Sequence, residues 1–258
     1  MAFIDTHTHL YREYYPETFE EVVGRAVDAN VTKMVLGCVD HTTLPQIQEA
    51  VTLFPDNMFA LVGLHPEETR ADYERELALL EPHIADPNVV GIGEIGLDFY
   101  WSREFEKEQQ EAFRRQLVWA RDHRLPLSLH IRNAYAEAIA ILQEFMAGEL
   151  TGVMHCFSGG IQEAQWAVNH GFALGIGGIV TFKNSKIQDI VKQIGLQHLV
   201  LETDAPYLAP VPHRGKPNES AYIPLIAQKI AELLDISVKT VMEPTTAKAL
   251  NIFKRLSN

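Results

Sequence analysis

The stretch "VVGIGEIGLDFYW", residues 89–101, decides between two folds. Gly91, Gly93 and Gly96 stand at the spacing G-x-G-x-x-G, the fingerprint of a dinucleotide-binding turn. Such a turn needs a helix that opens within the motif and sets its N-terminus against the pyrophosphate. Here "IGLDFYWSREF" follows, rich in aromatics and without helical period until about Phe105. The motif also begins near position 91, not in a first strand–helix unit. The run therefore reads as a buried parallel strand. Its glycines let the backbone pass close to its neighbours, and Glu94 faces a pocket.

Working outward, further apolar runs fall at 2–7, 31–37, 59–65, 126–130, 151–157, 172–178 and 198–204, beside 89–96 itself. Several are nearly continuous in apolar residues, as strands covered on both faces require. Helical spacing marks 17–29, 105–123, 134–147, 161–169 and 222–234, with a last helical pair over 237–256. In 105–123, Phe105, Phe113 and Leu117 form a core-facing stripe. Eight strands, each followed by a helix or crossover, predict an α/β fold: a (β/α)8 TIM barrel in a single domain over residues 1–258. An open doubly wound sheet is the alternative.

Composition fits this reading. The chain has 258 residues, 47% hydrophobic and 22% charged, without linker, repeat or low-complexity segment. A net charge of −12 argues against broad, sequence-independent adhesion to nucleic acid. A phosphate-bearing substrate is still allowed, because bound divalent ions can supply positive charge locally. No apolar window approaches the ~20 residues needed to cross a bilayer. The start runs straight into "AFIDTHTH", with no signal-peptide pattern. Cys38 and Cys156 are the only cysteines and lie far apart. A reduced, cytoplasmic protein with no membrane partner is expected. The oligomeric state is open, and a monomer satisfies everything read so far.

The strand ends carry the chemistry. In order they hold His7 and His9, Cys38, His65, Glu94, His130, His155, Gly177–Gly178 and Asp204. In a parallel barrel all C-terminal ends meet on one face, where catalytic residues of such barrels sit. His7 and His9 are two apart, so on an extended chain both imidazoles point to the same side. With Glu94, His130, His155 and Asp204 they offer four imidazoles and two carboxylates. That set suits Zn²⁺, Mn²⁺ or another first-row ion, and less obviously Mg²⁺ alone.

These blocks also resemble a known family. "DTHTHL", "GLHP", "GEIGLDFY", "HIRNA", "HCFSG", "ETDAPYL" and "HRGKPNES" are similar, in order from residue 4 to about 222, to the TatD metal-dependent hydrolases among the amidohydrolase-like TIM barrels. The resemblance implies two divalent ions per chain (Mg²⁺, Mn²⁺ or Zn²⁺). His7, His9 and Asp204 would hold one, His130 and His155 the second, and Glu94 would bridge them. It further implies hydrolysis of an ester bond, with a phosphodiesterase or deoxyribonuclease of 3′–5′ exonuclease type as the leading activity and DNA ends or another phosphoester as substrate. Thr8 stands where the family often has Cys, and Ser220 where Pro often follows "KPNE". Neither change removes a ligand.

In the expected chemistry, two ions roughly 3.5–4 Å apart activate a shared water and polarise a phosphoryl oxygen. Asp204 stays a ligand and accepts the water's proton. His65 and Arg132, at or just past strand tips, stabilise charge on the phosphoryl oxygens; the alternatives are a structural histidine and an Arg paired with a surface carboxylate. The proline-rich loop 205–221 brings His213 and Arg214 to substrate phosphate, unless Arg214 braces the loop. Tyr100 and Trp101 are candidates for stacking on a base or for packing at the rim. Cys156 is expected to face away from the pocket. His41, His83, His123, His170 and His198 are not read as ligands. The rival function hydrolyses a small ester, lactone or amide on the same metals. Many related barrels bridge their ions with a carboxylated lysine at the fourth or fifth strand, and no Lys ends either strand here.

Overall fold

Short runs rich in Val, Ile, Leu and Phe form eight parallel strands whose order in the sheet is their order in the chain. They are β1 (Phe3–Thr8), β2 (Val31–Leu36), β3 (Met58–Val62), β4 (Val89–Asp98), β5 (Leu127–Arg132), β6 (Gly152–Met154), β7 (Phe172–Ile176) and β8 (Leu199–Leu201). The computed structural model describes residues 2–16, 18–145 and 150–257. The segment after β8 returns to β1: Asp204 N–H donates to the His7 carbonyl at 2.9 Å, and His9 N–H to the Ala205 carbonyl at 2.7 Å. Thr6 Oγ1 also donates to the Leu201 carbonyl at 3.1 Å. The sheet therefore curls into a (β/α)8 barrel, and the open doubly wound alternative falls.

Nine helices pack outside among the described residues: α1 (Phe19–Asp28), α2 (Leu44–Leu53), α3 (Tyr73–Leu80), α4 (Glu106–His123), α5 (Tyr135–Glu144), α6 (Ile161–Asn169), α7 (Ile187–Ile194), α8 (Ile223–Leu234) and α9 (Val238–Ile252). Their apolar stripes explain the packing. In α1, Phe19, Val22, Val23 and Ala26 are buried at i, i+3, i+4 and i+7. In α4, Phe113 and Leu117 are buried as expected, while Phe105 caps the helix half-buried beneath the Arg70 guanidinium, 5.7 Å from its ring.

Three helices, α2, α3 and α7, fill crossovers that the periodicity does not mark. They run eight to ten residues each. The pair expected over 237–256 is one helix, α9, running through Pro244 and followed by a 3₁₀ turn at Lys254–Ser257. Residue 17 of the segment 17–29 and residues 146–147 of 134–147 lie outside the described residues. No described helix is long and apolar enough to cross a membrane.

A second apolar cluster joins Ile4, Val35, Leu61, Val90, Val153, Ala173 and Val200 to Ile252, Phe253 and Leu256. Side chains from seven strands can meet in one small cluster only inside the barrel. The chain's C-terminal end thus plugs the barrel at the strands' N-terminal side, and the opposite mouth is left for the polar residues.

Candidate metal centre

The six expected ligands do converge. His7 lies in β1 and His9 just beyond it; His130 lies in β5, His155 directly after β6, and Asp204 three residues past β8. Glu94 departs from its expected place at a strand tip. β4 continues to Asp98, so Glu94 stands inside the strand. Gly96 makes that long strand fit: its φ is +143°, and a Cβ there would lie 2.0 Å from the His130 carbonyl oxygen. The fingerprint glycine thus serves close passage of β4 against β5, not a phosphate turn.

Glu94 is buried at the centre, with its two oxygens turned to different histidines. Oε2 lies 3.1 Å from His7 Nε2 and 3.3 Å from His9 Nε2. Oε1 lies 2.8 Å from His130 Nδ1 and 3.3 Å from the Nε2 atoms of both His65 and His155. Asp204 closes the ring, with Oδ1 at 3.5 Å from His9 Nε2 and 3.8 Å from His155 Nε2. Its φ of +57° is left-handed backbone, which costs a non-glycine residue energy and recurs at functional sites.

The other nitrogen of each ring meets a partner from outside, through a hydrogen bond for His7, His9 and His130 and a charge contact for His155. His7 Nδ1 meets Ser128 Oγ at 2.9 Å, and His9 Nδ1 meets the Tyr11 hydroxyl at 3.2 Å. His155 Nδ1 faces Glu202 Oε1 at 3.2 Å, and His130 Nε2 faces Asp98 Oδ2 at 2.7 Å. Such outer partners fix which nitrogen is free to ligate. Ser128, Tyr11, Glu202 and Asp98 escaped the sequence reading. Each stands two or four residues from a ligand on the same run, so the period-2 alternation that paired His7 with His9 was the signal available.

His65 is built differently. The Glu67 backbone N–H donates to its Nδ1 at 3.1 Å, so the proton sits on Nε2. In that tautomer Nε2 cannot ligate a cation, and His65 presents an N–H toward the pocket beside Glu94.

Charge is balanced inside this pocket. Burial alone would raise the Glu94 carboxyl, but His65, His7 and His155 hold it well below the usual carboxylate range. Burial and neighbouring His155 push His7 down to about 3. For His130 burial opposes the charge, yet Asp98 and Glu94 outweigh it and lift the value to about 9. Burial brings Asp204 up to about 6 against the pull of His155 and His9. Two groupings without His65 draw their donor atoms within 4.8 Å of one another, His7–His155–Asp204 and His7–His9–Glu94, and a third places His65 as close to Glu94 and His130. The donor set fits divalent cations: imidazoles oriented by outer partners, and carboxylates without a lysine or arginine among them.

The remaining candidates lie around the mouth. Arg132 stacks on the Tyr100 ring at 3.7 Å and comes within 4.0 Å of Glu67; its side chain is 41% exposed. Trp101 is 72% exposed at the same rim. His213 stacks on Tyr222 with ring centroids 4.1 Å apart, and Arg214 lies over the Phe182 ring at 4.2 Å. Ser220, where the family often has Pro, donates from Oγ to Asp5 Oδ2 at 2.7 Å and so ties the loop's end to β1. Cys156 lies past the end of β6 with φ +43°, so strand alternation does not set its direction. Burial pushes its thiol well up, which leaves it no nucleophile.

A closed parallel barrel with histidines and carboxylates gathered at its C-terminal mouth has the architecture of a metal-dependent hydrolase barrel. The comparisons narrow this. The profile of the family described as TatD related DNase matches residues 4–254. A Bacillus subtilis protein described as the uncharacterized metal-dependent hydrolase YabD is 37% identical over 251 residues, covering 97% of this chain and 98% of the relative. The Escherichia coli K12 protein YcfH, described in the same terms, is 34% identical over 256 residues, covering 98% and 96%. The crystal structure of YjjV, a TatD homologue from E. coli K12, superposes with a TM-score of 0.88 at 28% identity over 98% of both chains. This chain belongs to the TatD family of metal-dependent hydrolases.

Proposed function

We propose that this protein is a phosphodiesterase acting on DNA ends, a deoxyribonuclease of 3′–5′ exonuclease type working with a pair of divalent ions. One observation carries the reading: buried Glu94 presents Oε2 to His7 and His9, and Oε1 to His130 and His155, as a bridging carboxylate would. His7, His9 and Asp204 would hold one ion, and His130 with His155 the other. Bound there, the ions supply Lewis acidity toward a phosphoryl oxygen and lower the pKa of water.

The chain's own residues supply the rest. Asp204, with a pKa near 6, is ionised at neutral pH and accepts the proton of the attacking water. His65 donates its Nε2–H to a phosphoryl oxygen, since its Nδ1 is already an acceptor. Arg132, preset by stacking on Tyr100, adds a fixed positive charge at the rim. His213 and Arg214 approach substrate phosphate from the loop 205–221.

The test is protein stripped of metal and then given Mg²⁺, Mn²⁺ or Zn²⁺ with 3′- or 5′-end-labelled single-stranded DNA. Ion-dependent shortening from the 3′ end is expected, together with hydrolysis of bis(p-nitrophenyl) phosphate. Turnover of a carboxylic ester, lactone or amide, with both phosphodiesters untouched, would overturn this reading in favour of the small-substrate one.

A further inference from the structure

Between the turns that follow β6, β7 and β8 lies a hollow of about 480 Å³, of whose lining the chemistry above uses only Arg214. Phe157, Phe182, Lys183, Ser185, Lys186 and Arg214 are among the residues lining it. It opens on the same end of the barrel as the metal ligands. Phe157 is two residues beyond His155, so their Cα atoms are at most about 7 Å apart. Asp204 begins the loop that carries Arg214.

Its chemistry is the reverse of the chain's. The molecule carries a net charge of −12, yet three cations and no carboxylate are found among the described residues that line this hollow. Arg214 is fixed by its contact with the Phe182 ring, 4.2 Å from the centroid, which leaves its N–H edge free to bind. Ser185 Oγ is shielded from solvent and has no hydrogen-bond partner in the protein.

The frame presenting these groups is braced. Gln188 Nε2 donates to the Val180 and Phe182 carbonyls, both at 2.9 Å. Val211 N–H donates to Thr181 Oγ1 at 2.9 Å, joining the turn after β7 to the loop after β8.

We infer that this hollow binds a phosphate of the substrate strand away from the scissile bond, so that the substrate is a polyanionic chain with at least two phosphodiesters. The inference rests on the phosphodiesterase reading and adds to it a second phosphate contact. Lys183, Lys186 and Arg214 hold the non-bridging oxygens. Distance from the metal pocket makes the contact one of positioning and affinity.

Two double variants test it on the metal-loaded protein: K183A/K186A, and K239A/K254A as a control removing the same charge elsewhere. Binding of a fluorescein-labelled phosphorothioate oligothymidylate is followed by anisotropy over a salt series. K183A/K186A should bind about tenfold more weakly. Its slope of log K against log salt should be shallower by about 1.4, since each lost single-strand phosphate contact removes about 0.7. The control should bind like the wild type. On cleavable oligonucleotide, K183A/K186A should raise KM more than it lowers kcat, and by a larger factor than on bis(p-nitrophenyl) phosphate. Equal binding by all three proteins, or equal weakening in both variants, overturns the hollow as a phosphate site and leaves the nuclease reading standing. Failure of the wild type to cleave any phosphodiester overturns the nuclease reading, and the substrate role of the hollow with it.

Discussion

Glu202 touches no candidate substrate position, yet it governs the pocket. It is fully buried, faces His155 Nδ1 at 3.2 Å and accepts the Cys156 backbone N–H. Gly175 makes room for it: a Cβ there would lie 2.2 Å from Glu202 Oε2. A carboxylate behind a ligating histidine sets its tautomer and raises its basicity. Glu202→Gln should therefore weaken metal affinity by roughly 10–100-fold in a protein that still folds; unchanged affinity in a calorimetric titration would remove this role. The two cysteines make a second prediction at this scale. Burial pushes Cys38 up to about 11 from an ordinary 9, and Cys156 higher still. Little thiolate exists at pH 8, so iodoacetamide should label the native protein far more slowly than the protein in urea. The raised value of Cys38 means its contribution to stability is complete below pH 9 and is lost as pH rises through about 11. Unfolding midpoints measured from pH 8 to 11 should fall, and a Cys38→Ala variant should flatten that fall.

At the scale of single elements, β4 is the strand on which the site depends. It runs ten residues, Val89–Asp98, and carries both Glu94 and the Asp98 that holds His130. Gly96 lets it lie against β5, where Gly96 pairs with His130. Gly96→Ala combines a backbone angle foreign to alanine with a 2.0 Å overlap on the His130 carbonyl. The cost should be at least about 2 kcal/mol. In a chain of this size that lowers the melting temperature by roughly 4 °C or more. Because the strain falls on His130, metal retention should drop as well. A variant with wild-type stability and metal content would show that β4 and β5 tolerate more separation than their register allows.

The whole molecule divides into two ends with different tasks. At one, Phe253 and Ile252 join the inward-facing Val35, Leu61 and Val200 in an apolar plug, and Arg255 donates to the Val89 carbonyl at the start of β4. At the other, the candidate ligands meet. Phe253→Ala should cost about 3–5 kcal/mol, the usual range for emptying a buried phenylalanine site. Because the plug lies at the far end from the ligands, metal affinity of the folded protein should stay as it was. Urea unfolding together with a metal titration checks both halves; a parallel loss of affinity would mean the two ends are coupled.

What the linear chain determined by itself was the kind of element and the kind of chemistry. Apolar runs marked eight strands, and the polar residue ending most of them marked the side chains that converge at the barrel mouth, because burial and alternation are local properties of a strand. Three short helices, α2, α3 and α7, stayed illegible, although α1, α5 and α6 of similar length were marked. Tertiary structure alone decided which residues face one another: that Ser128 holds His7 from 121 positions away, that Glu94 divides its oxygens between two sets of histidines, and that Arg132 rests on Tyr100. It also decided that Lys183, Lys186 and Arg214 share one hollow. Periodicity states which side of a strand a residue occupies. Only the closing of the barrel, which sets Asp204 beside His7, states what stands across from it.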